Sequence, residues 1–229
     1  MRLDKFISDS SELTRSQARK AIAKGLVQVD GALVRDAAAR VEPASEVTYQ
    51  GNTLQLPGPR YLMLHKPAGY VCSTVEDTYP PVTDLLPPEL RGGLVIAGRL
   101  DQDTTGLVIL TDDGQWAHRI TKPGNISGKR YCLTLAEPLA RDAELRCRDG
   151  MLLQGETKPT LPAALERISN TKVRITLFEG RYHQVKRMMA ALGNRVVTLH
   201  REQVGALVLG DLPQGQWREL TAEEIASIK

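Results

Sequence analysis

The apolar runs YLML, GLVIA, GLVILT, YCLTLA, VRITLF and VVTLH follow one another between residues 61 and 200, each rich in Val, Ile, Leu, Thr or Tyr. Runs of this kind read as strands. Between them lie only short helical patterns: GQWAHRI, ARDAELRCR, and YHQVKRMMAALG, which closes at Gly193. A last helix is expected in TAEEIASI, where Thr221 and Glu224 stand at capping-box spacing. Strands outnumber helices and do not alternate regularly with them. The expected class is therefore α+β, with an antiparallel or mixed sheet rather than a doubly wound parallel one.

The chain ahead of these runs has a different character. TRSQARKAIAKG carries Thr14 as a cap, Gln17 in capping-box position and Gly25 as a stop. At helical spacing Ala18, Ala21 and Ile22 share one side, and Arg15, Arg19, Lys20 and Lys24 spread over the opposite arc. LVQVDGALV then reads as a hairpin turning at Asp30-Gly31. This predicts a small α+β unit with a basic helix. QGNTLQLPGP, polar and rich in Gly and Pro, reads as a linker. The expected division is residues 1–49, a linker at 50–59, and a larger domain at 60–229.

Charge is informative by its distribution. The net charge is only +3, but residues 13–29 hold four bases and no acid. Residues 172–201 hold seven bases opposed only by Glu179. Two basic clusters on a nearly neutral chain point to localised nucleic-acid contacts or to solvated faces. Cys72, Cys132 and Cys147 are odd in number and form no CxxC pair, as expected of reduced thiols rather than a disulfide framework or zinc site. MRLDKFISDS carries Asp4 and Asp9 without a long apolar core, and no apolar run approaches membrane-span length. A soluble, cytoplasmic protein without membrane contact is expected.

Residues 98–107, GRLDQDTTGL, place Asp101 and Asp103 in a turn between apolar runs. With Gly106 and Asp112 they approach a calcium-loop pattern. That loop needs flanking helices and a bidentate closing Glu, whereas here residues 106–111 read as a strand. A glycosidase pair of Asp101 with Asp103 or Asp112 would need a sugar cleft, and aromatics are only 4% of the chain. His65, His118, His183 and His200 are scattered and read mostly as surface or core residues. What remains is a carboxylate that acts as nucleophile or base if its charge is held. The candidate counter-charge is Lys186 or Arg187, in EGRYHQVKRM.

Taken together, GRLDQDTTGL, TDDG, KRY and EGRYHQVKRM resemble the RsuA group of pseudouridine synthases. RLDKFI, TRSQARKAI and VQVDG resemble the S4 RNA-binding domain, an αL-like unit, that this group carries. The resemblance runs along essentially the whole chain, HKPAGYVCST and DDGQWAHRIT included, and is nearest to the small-subunit 16S rRNA members. It implies that Asp101 is the catalytic aspartate, which detaches uracil from ribose and reattaches it through carbon. It implies that Arg99 fills the space left by the flipped nucleotide. Tyr131 would stack on the uracil and take up the C5 proton. Lys186 would pair with the aspartate, and Leu199 would pack under the ring. Arg15, Arg19, Lys20, Lys24, Arg181 and Arg187 are the expected RNA contacts. His65 stands where relatives often have Asn before Lys-Pro.

These roles agree with the chemistry the residues allow. A uridine within folded RNA reaches a carboxylate only after leaving its stack. The freed base must then rotate inside a closed pocket with an aromatic platform. The isomerisation is redox-neutral, so neither metal nor organic cofactor is expected. The expected partner of this monomer is 16S rRNA, free or in a partly assembled small-subunit particle. The alternatives are a uridine of 23S rRNA or tRNA, or a non-catalytic S4 assembly factor.

Overall fold

Two helices, α1 (Leu3–Ser10) and α2 (Arg15–Ala23), open the computed structural model, which describes residues 1–42, 44–56, 58–74, 78–122 and 128–228. The capping box forms as its spacing predicts. The Thr14 hydroxyl accepts from the Gln17 amide, and the Gln17 side chain accepts from the Thr14 amide at 2.8 Å. Ala18, Ala21 and Ile22 are buried, and Ala18 and Ile22 pack with Leu3, Phe6 and Ile7. Strands β1 (Val27–Val29) and β2 (Ala32–Leu33) make the expected hairpin. Asp30 and Gly31 turn it with φ of 52° and 78°, the left-handed pair that a two-residue turn of this twist requires.

The expected linker is shorter than its composition suggested. Residues 52–54 lie inside it, yet β4 (Asn52–Leu54) pairs with β3 (Val47–Tyr49) in a four-stranded sheet ordered β2-β1-β3-β4 among the described residues. The polar QGN is a hairpin tip, and Gln50 and Gly51 both have positive φ. Contacts divide the chain into Met1–Gly58 and Pro59–Lys229.

The second unit runs β5 (Tyr61–Lys66), a 3-10 turn (Val82–Leu85), α3 (Pro88–Arg91), β6 (Val95–Ile96) and β7 (Thr105–Thr111). It continues through α4 (Gly114–Thr121), β8 (Lys129–Leu135), α5 (Ala143–Asp149), β9 (Ala164–Arg167) and β10 (Lys172–Leu177). It ends with α6 (Gln184–Ala191), β11 (Val196–Val204), β12 (Leu207–Val208), β13 (Trp217–Glu219) and α7 (Ala222–Ala226). Among the described residues the strands form one nine-stranded sheet ordered β13-β5-β7-β11-β8-β10-β9, with β6 on β7 and β12 on β11. Its pairs are antiparallel except β7 with β11, so the sheet is mixed, as expected. No described helix is long and apolar enough to cross a membrane.

Side-chain period explains where the helices go. β7 is apolar without alternation because both its faces are covered. Val108 and Leu110 enter one core, and Leu107 and Ile109 enter the other. The first core is closed by α5 and by Val185, Met188 and Met189 of α6; the second is closed by Trp116, Ala117 and Ile120 of α4. β8 is covered on one face only, so Tyr131, Leu133 and Leu135 are buried while Cys132 and Thr134 are not. Helix α6 starts at Gln184, two residues later than its pattern suggested, because His183 has a left-handed backbone, φ 47° and ψ 37°. That conformation ends a right-handed helix.

The parallel β7–β11 pair sets Gly106 opposite Arg201. Gly106 has φ 111°, and a Cβ there would overlap the Arg201 backbone. We expect Gly106→Ala to lower stability by ~2–4 kcal/mol, the sum of backbone strain and overpacking. Urea denaturation of the full chain measures it. A loss under ~0.5 kcal/mol would place this contact among neutral surface positions.

Candidate active site

Residues 98–104 join β6 to β7 and carry Arg99, Asp101 and Asp103. Their backbone is held from beneath by two buried cations. The ammonium of Lys66, at the end of β5, donates to the carbonyls of Pro67, Gln102 and Thr104 at 3.0, 3.1 and 2.8 Å. The guanidinium of Arg201, in β11, donates to Leu107, Gly98 and Arg99 at 2.8, 2.8 and 3.4 Å. Lys66 is 0% exposed and Arg201 1%. Burial lowers the Lys66 pKa, with Asp103 and Asp101 among the charges opposing that fall. The Leu100 amide completes the support by donating to the buried Cys72 sulfur at 3.2 Å. Sequence reasoning missed Lys66 and Arg201, because nothing local in either stretch shows that the side chain is buried under another segment.

Above the loop, α6 brings Lys186 to the carboxylates. Its ammonium lies 3.0 Å from Asp101 Oδ2 and 2.7 Å from Asp103 Oδ1. Burial depresses the Lys186 pKa, but the hydrogen bonds to Asp103 and Asp101 outweigh this and raise it. For Asp103, burial raises the pKa, while Lys186 outweighs it and holds the carboxyl below its ordinary value. Asp103 is therefore part of the arrangement, sharing the lysine with Asp101. His183 is the other residue that the scattered-histidine reading overlooked. Its Nε2 stands 3.4 Å from Asp101 Oδ1. The left-handed backbone at the helix cap aims the ring there.

Asp101 and Lys186 line a cavity of about 740 Å³ together with Arg99, Tyr131 and Leu199. That volume suits a small organic ligand rather than an ion. Tyr131 and Leu199 are each 8% exposed, whereas Arg99 is exposed and makes no ion pair among the described residues. The cavity thus has an apolar and aromatic wall, a paired carboxylate and, in Arg99, a cation without an ion pair among the described residues. Lys129 also lines it, its pKa lowered by burial and then by Arg201.

The second basic cluster is organised differently from the expected RNA face. Arg181 pairs with Glu179 at 3.1 Å and Glu156 at 3.5 Å, and donates to the Lys158 and Pro159 carbonyls. Arg187 pairs with Glu156 at 2.9 Å and donates to Gln154 O and Tyr182 O. Arg174 meets Glu202 at 2.8 Å. These guanidinium groups tie the segment preceding α6 to distant strands and loops. Counting charge along the sequence missed the acids because Glu156 and Glu202 lie outside the window. His65 is also structural: Nδ1 hydrogen-bonds Leu212 O at 2.7 Å and the ring packs edge-on against His200.

In the N-terminal unit, Lys20 of α2 and Lys24 at its C-cap are exposed to solvent without ion pairs among the described residues. Arg15 and Arg19 have a second duty. With Arg2 they surround the buried carboxylate of Asp4, at 3.3, 2.9 and 3.0 Å. The Arg2 hydrogen bond above all, then those from Arg19 and Arg15, hold the Asp4 carboxyl far below its usual range against the cost of burial.

A family model described as RNA pseudouridylate synthase matches residues 60–191, and one described as S4 domain matches residues 1–47. A protein named ribosomal small subunit pseudouridine synthase A from Escherichia coli (strain K12) is 51% identical, the match covering 100% of both chains. Its namesake from Pasteurella multocida (strain Pm70) is 49% identical over 99% of each. A solved structure titled as a crystal structure of pseudouridylate synthase is 47% identical over 100% of both chains, with a TM-score of 0.73.

The geometry makes the Asp101–Lys186 contact measurable. Lys186→Met removes the lysine that two neighbouring carboxylates share, and we expect a stability loss of ~1–2 kcal/mol. Asp101→Asn should recover part of that loss in the Lys186→Met background, giving a coupling above ~0.5 kcal/mol in a double-mutant cycle. Simple additivity would rule out a direct energetic contact.

Proposed function

The chain belongs to the RNA pseudouridylate synthase family, with an S4 domain ahead of the catalytic one, and on that premise we propose that it isomerises one uridine of small-subunit 16S rRNA to pseudouridine. The observation that carries the assignment of roles is the convergence of Lys186 and His183 on Asp101 inside the cavity that Tyr131 and Leu199 wall. The choice of small-subunit RNA is supported by the full-length likeness to synthases named for that subunit. The setting is the cytoplasm, and the chain acts as a monomer without a cofactor.

The reaction requires the C1′–N1 bond of the uridine to break, the uracil to turn, and a C1′–C5 bond to form. N1 keeps the electron pair of the broken bond, the C5 proton is released, and N1 is reprotonated, so no electrons enter or leave. Asp101 takes up the charge that develops as the base departs, by covalent attack or by electrostatic stabilisation. Lys186 keeps that carboxylate oriented. The 8% exposed Tyr131 ring offers a face on which uracil turns without escaping, and Leu199 limits its depth. Arg99, exposed and without an ion pair among the described residues, occupies the gap that the flipped nucleotide leaves.

The test is to map pseudouridines in rRNA from cells with and without the protein, and in RNA treated with the purified chain. One site in small-subunit RNA should depend on it. A dependent site only in large-subunit RNA or tRNA would redirect the substrate, and none at all would favour an RNA-binding assembly factor. Asp101→Asn should lose more than the ~10²–10⁴-fold typical of a single acid–base group while keeping RNA affinity. Turnover within tenfold of the parent would remove Asp101 from catalysis.

The basic helix of the N-terminal unit should contribute phosphate contacts, which add affinity and carry little sequence information. Lys20→Ala with Lys24→Ala should reduce the slope of log K against log salt by ~1.4 on single-stranded RNA, from ~0.7 per contact. Turnover at saturating RNA and the site modified should be unchanged. An unaltered slope would return these lysines to an ordinary solvated face.

A further inference from the structure

Tyr182 is 77% exposed, the most exposed large hydrophobic side chain among the described residues. An isolated exposed aromatic needs no explanation. This one is not isolated. Its ring stacks on the imidazole of His183, with centroids 3.8 Å apart and planes within 20° of parallel. The imidazole is itself fixed, by its left-handed backbone and by the approach of Nε2 to Asp101 at 3.4 Å. The tyrosine is thus held face-on at the rim of the catalytic cavity, one face on His183 and the other open to solvent. Both residues line that cavity.

We propose that the Tyr182–His183 stack is a second nucleobase site, a platform that receives an unpaired base adjacent to the flipped uridine. This rests on the isomerase reading above. A base on the free face of Tyr182 has the tyrosine ring between itself and His183, so it is a neighbour of the reacting nucleotide and not the reacting base. That base is the one most in need of a partner. Extruding one nucleotide removes a stacking face from each of its neighbours. An aromatic ring replaces such a face for any base, because every base has a π surface. The two tyrosines therefore divide the work: buried Tyr131 serves the base that reacts, and exposed Tyr182 serves the base beside it.

The experiment compares full-length parent, Tyr182→Ala and Tyr182→Phe for isomerisation of a 16S rRNA transcript. It then uses a synthetic RNA centred on the mapped uridine, with an abasic nucleotide at either neighbouring position. Tyr182→Ala should raise KM by about tenfold to a hundredfold, the range that loss of one base–aromatic stack implies, with kcat within threefold of the parent. Tyr182→Phe should match the parent, since the ring and not the hydroxyl is used. One abasic position should reproduce the loss, and combining it with Tyr182→Ala should add little further. The ring is outside the core, so an unchanged melting curve is expected and separates the effect from misfolding. An active parent with KM for Tyr182→Ala within threefold would overturn the platform alone. So would a fall in kcat without a change in KM, or abasic and alanine effects that multiply. A parent inactive on every RNA would count instead against the isomerase reading, and the platform would fall with it.

Discussion

The loop that carries Asp101 depends on two positive charges placed where charges are costly. Lys66 and Arg201 lie beneath residues 98–104 with almost no access to solvent, and their hydrogen bonds run mainly to backbone carbonyls. A buried cation is tolerable only when its donors are all answered. Here four of the six acceptors, the carbonyls of Gly98, Arg99, Gln102 and Thr104, belong to the loop, so the loop has one shape in which the cations are satisfied and many in which they are not. Of the two, Lys66 also interacts with the carboxylates above. Asp101 and Asp103 sit between the buried lysine and the more accessible Lys186, with Asp103 and Asp101 both offsetting the desolvation of Lys66. Lys66 thus bears both on the shape of the loop and on the charge beneath its carboxylates.

A second consequence concerns what basic residues do in this molecule. In each unit, arginines that look available in sequence answer acids brought from elsewhere in the chain: Arg15 and Arg19 for Asp4, Arg181 and Arg187 for Glu156, Arg174 for Glu202. The cations without an ion pair among the described residues include Lys20 of α2, Lys24 at its C-cap and Arg99 of the cavity lining. Partial exposure lets some paired arginines still meet phosphate: Arg19 keeps 56% of its side-chain surface in solvent, whereas Arg181 keeps 19%. This graded availability separates an exposed basic helix from a set of arginines that tie down the strand-to-helix connection before α6.

Much of the architecture was legible because it depends on local pattern. The Thr14 and Thr221 capping boxes, the Asp30-Gly31 turn, the unbroken apolar run of β7 and the alternation of β8 each follow from side-chain period and backbone preference. The elements that escaped were short or carried no period: β9 reads Ala-Leu-Glu-Arg, and β4 lies in a stretch whose Gly and Pro look like a linker. In the candidate site, the roles of Asp101, Lys186, Arg99, Tyr131 and Leu199 came from resemblance, and the structure brings these residues to the lining of one cavity, with Lys186 on Asp101.

By itself, then, the sequence determined the class of the fold and the order of its two families of motif, and it nominated a carboxylate with a lysine or arginine as its partner. Each of these is written in neighbouring residues or in a run of motifs in order. Only the tertiary structure decided which charges are paired, that Asp103 shares Lys186, that His183 reaches Asp101 with Tyr182 stacked behind it, and that Lys66 and Arg201 carry the loop. The reason is physical. The worth of a charged or aromatic side chain depends on its solvent exposure and its partners, and those partners come from segments tens of residues away along the chain.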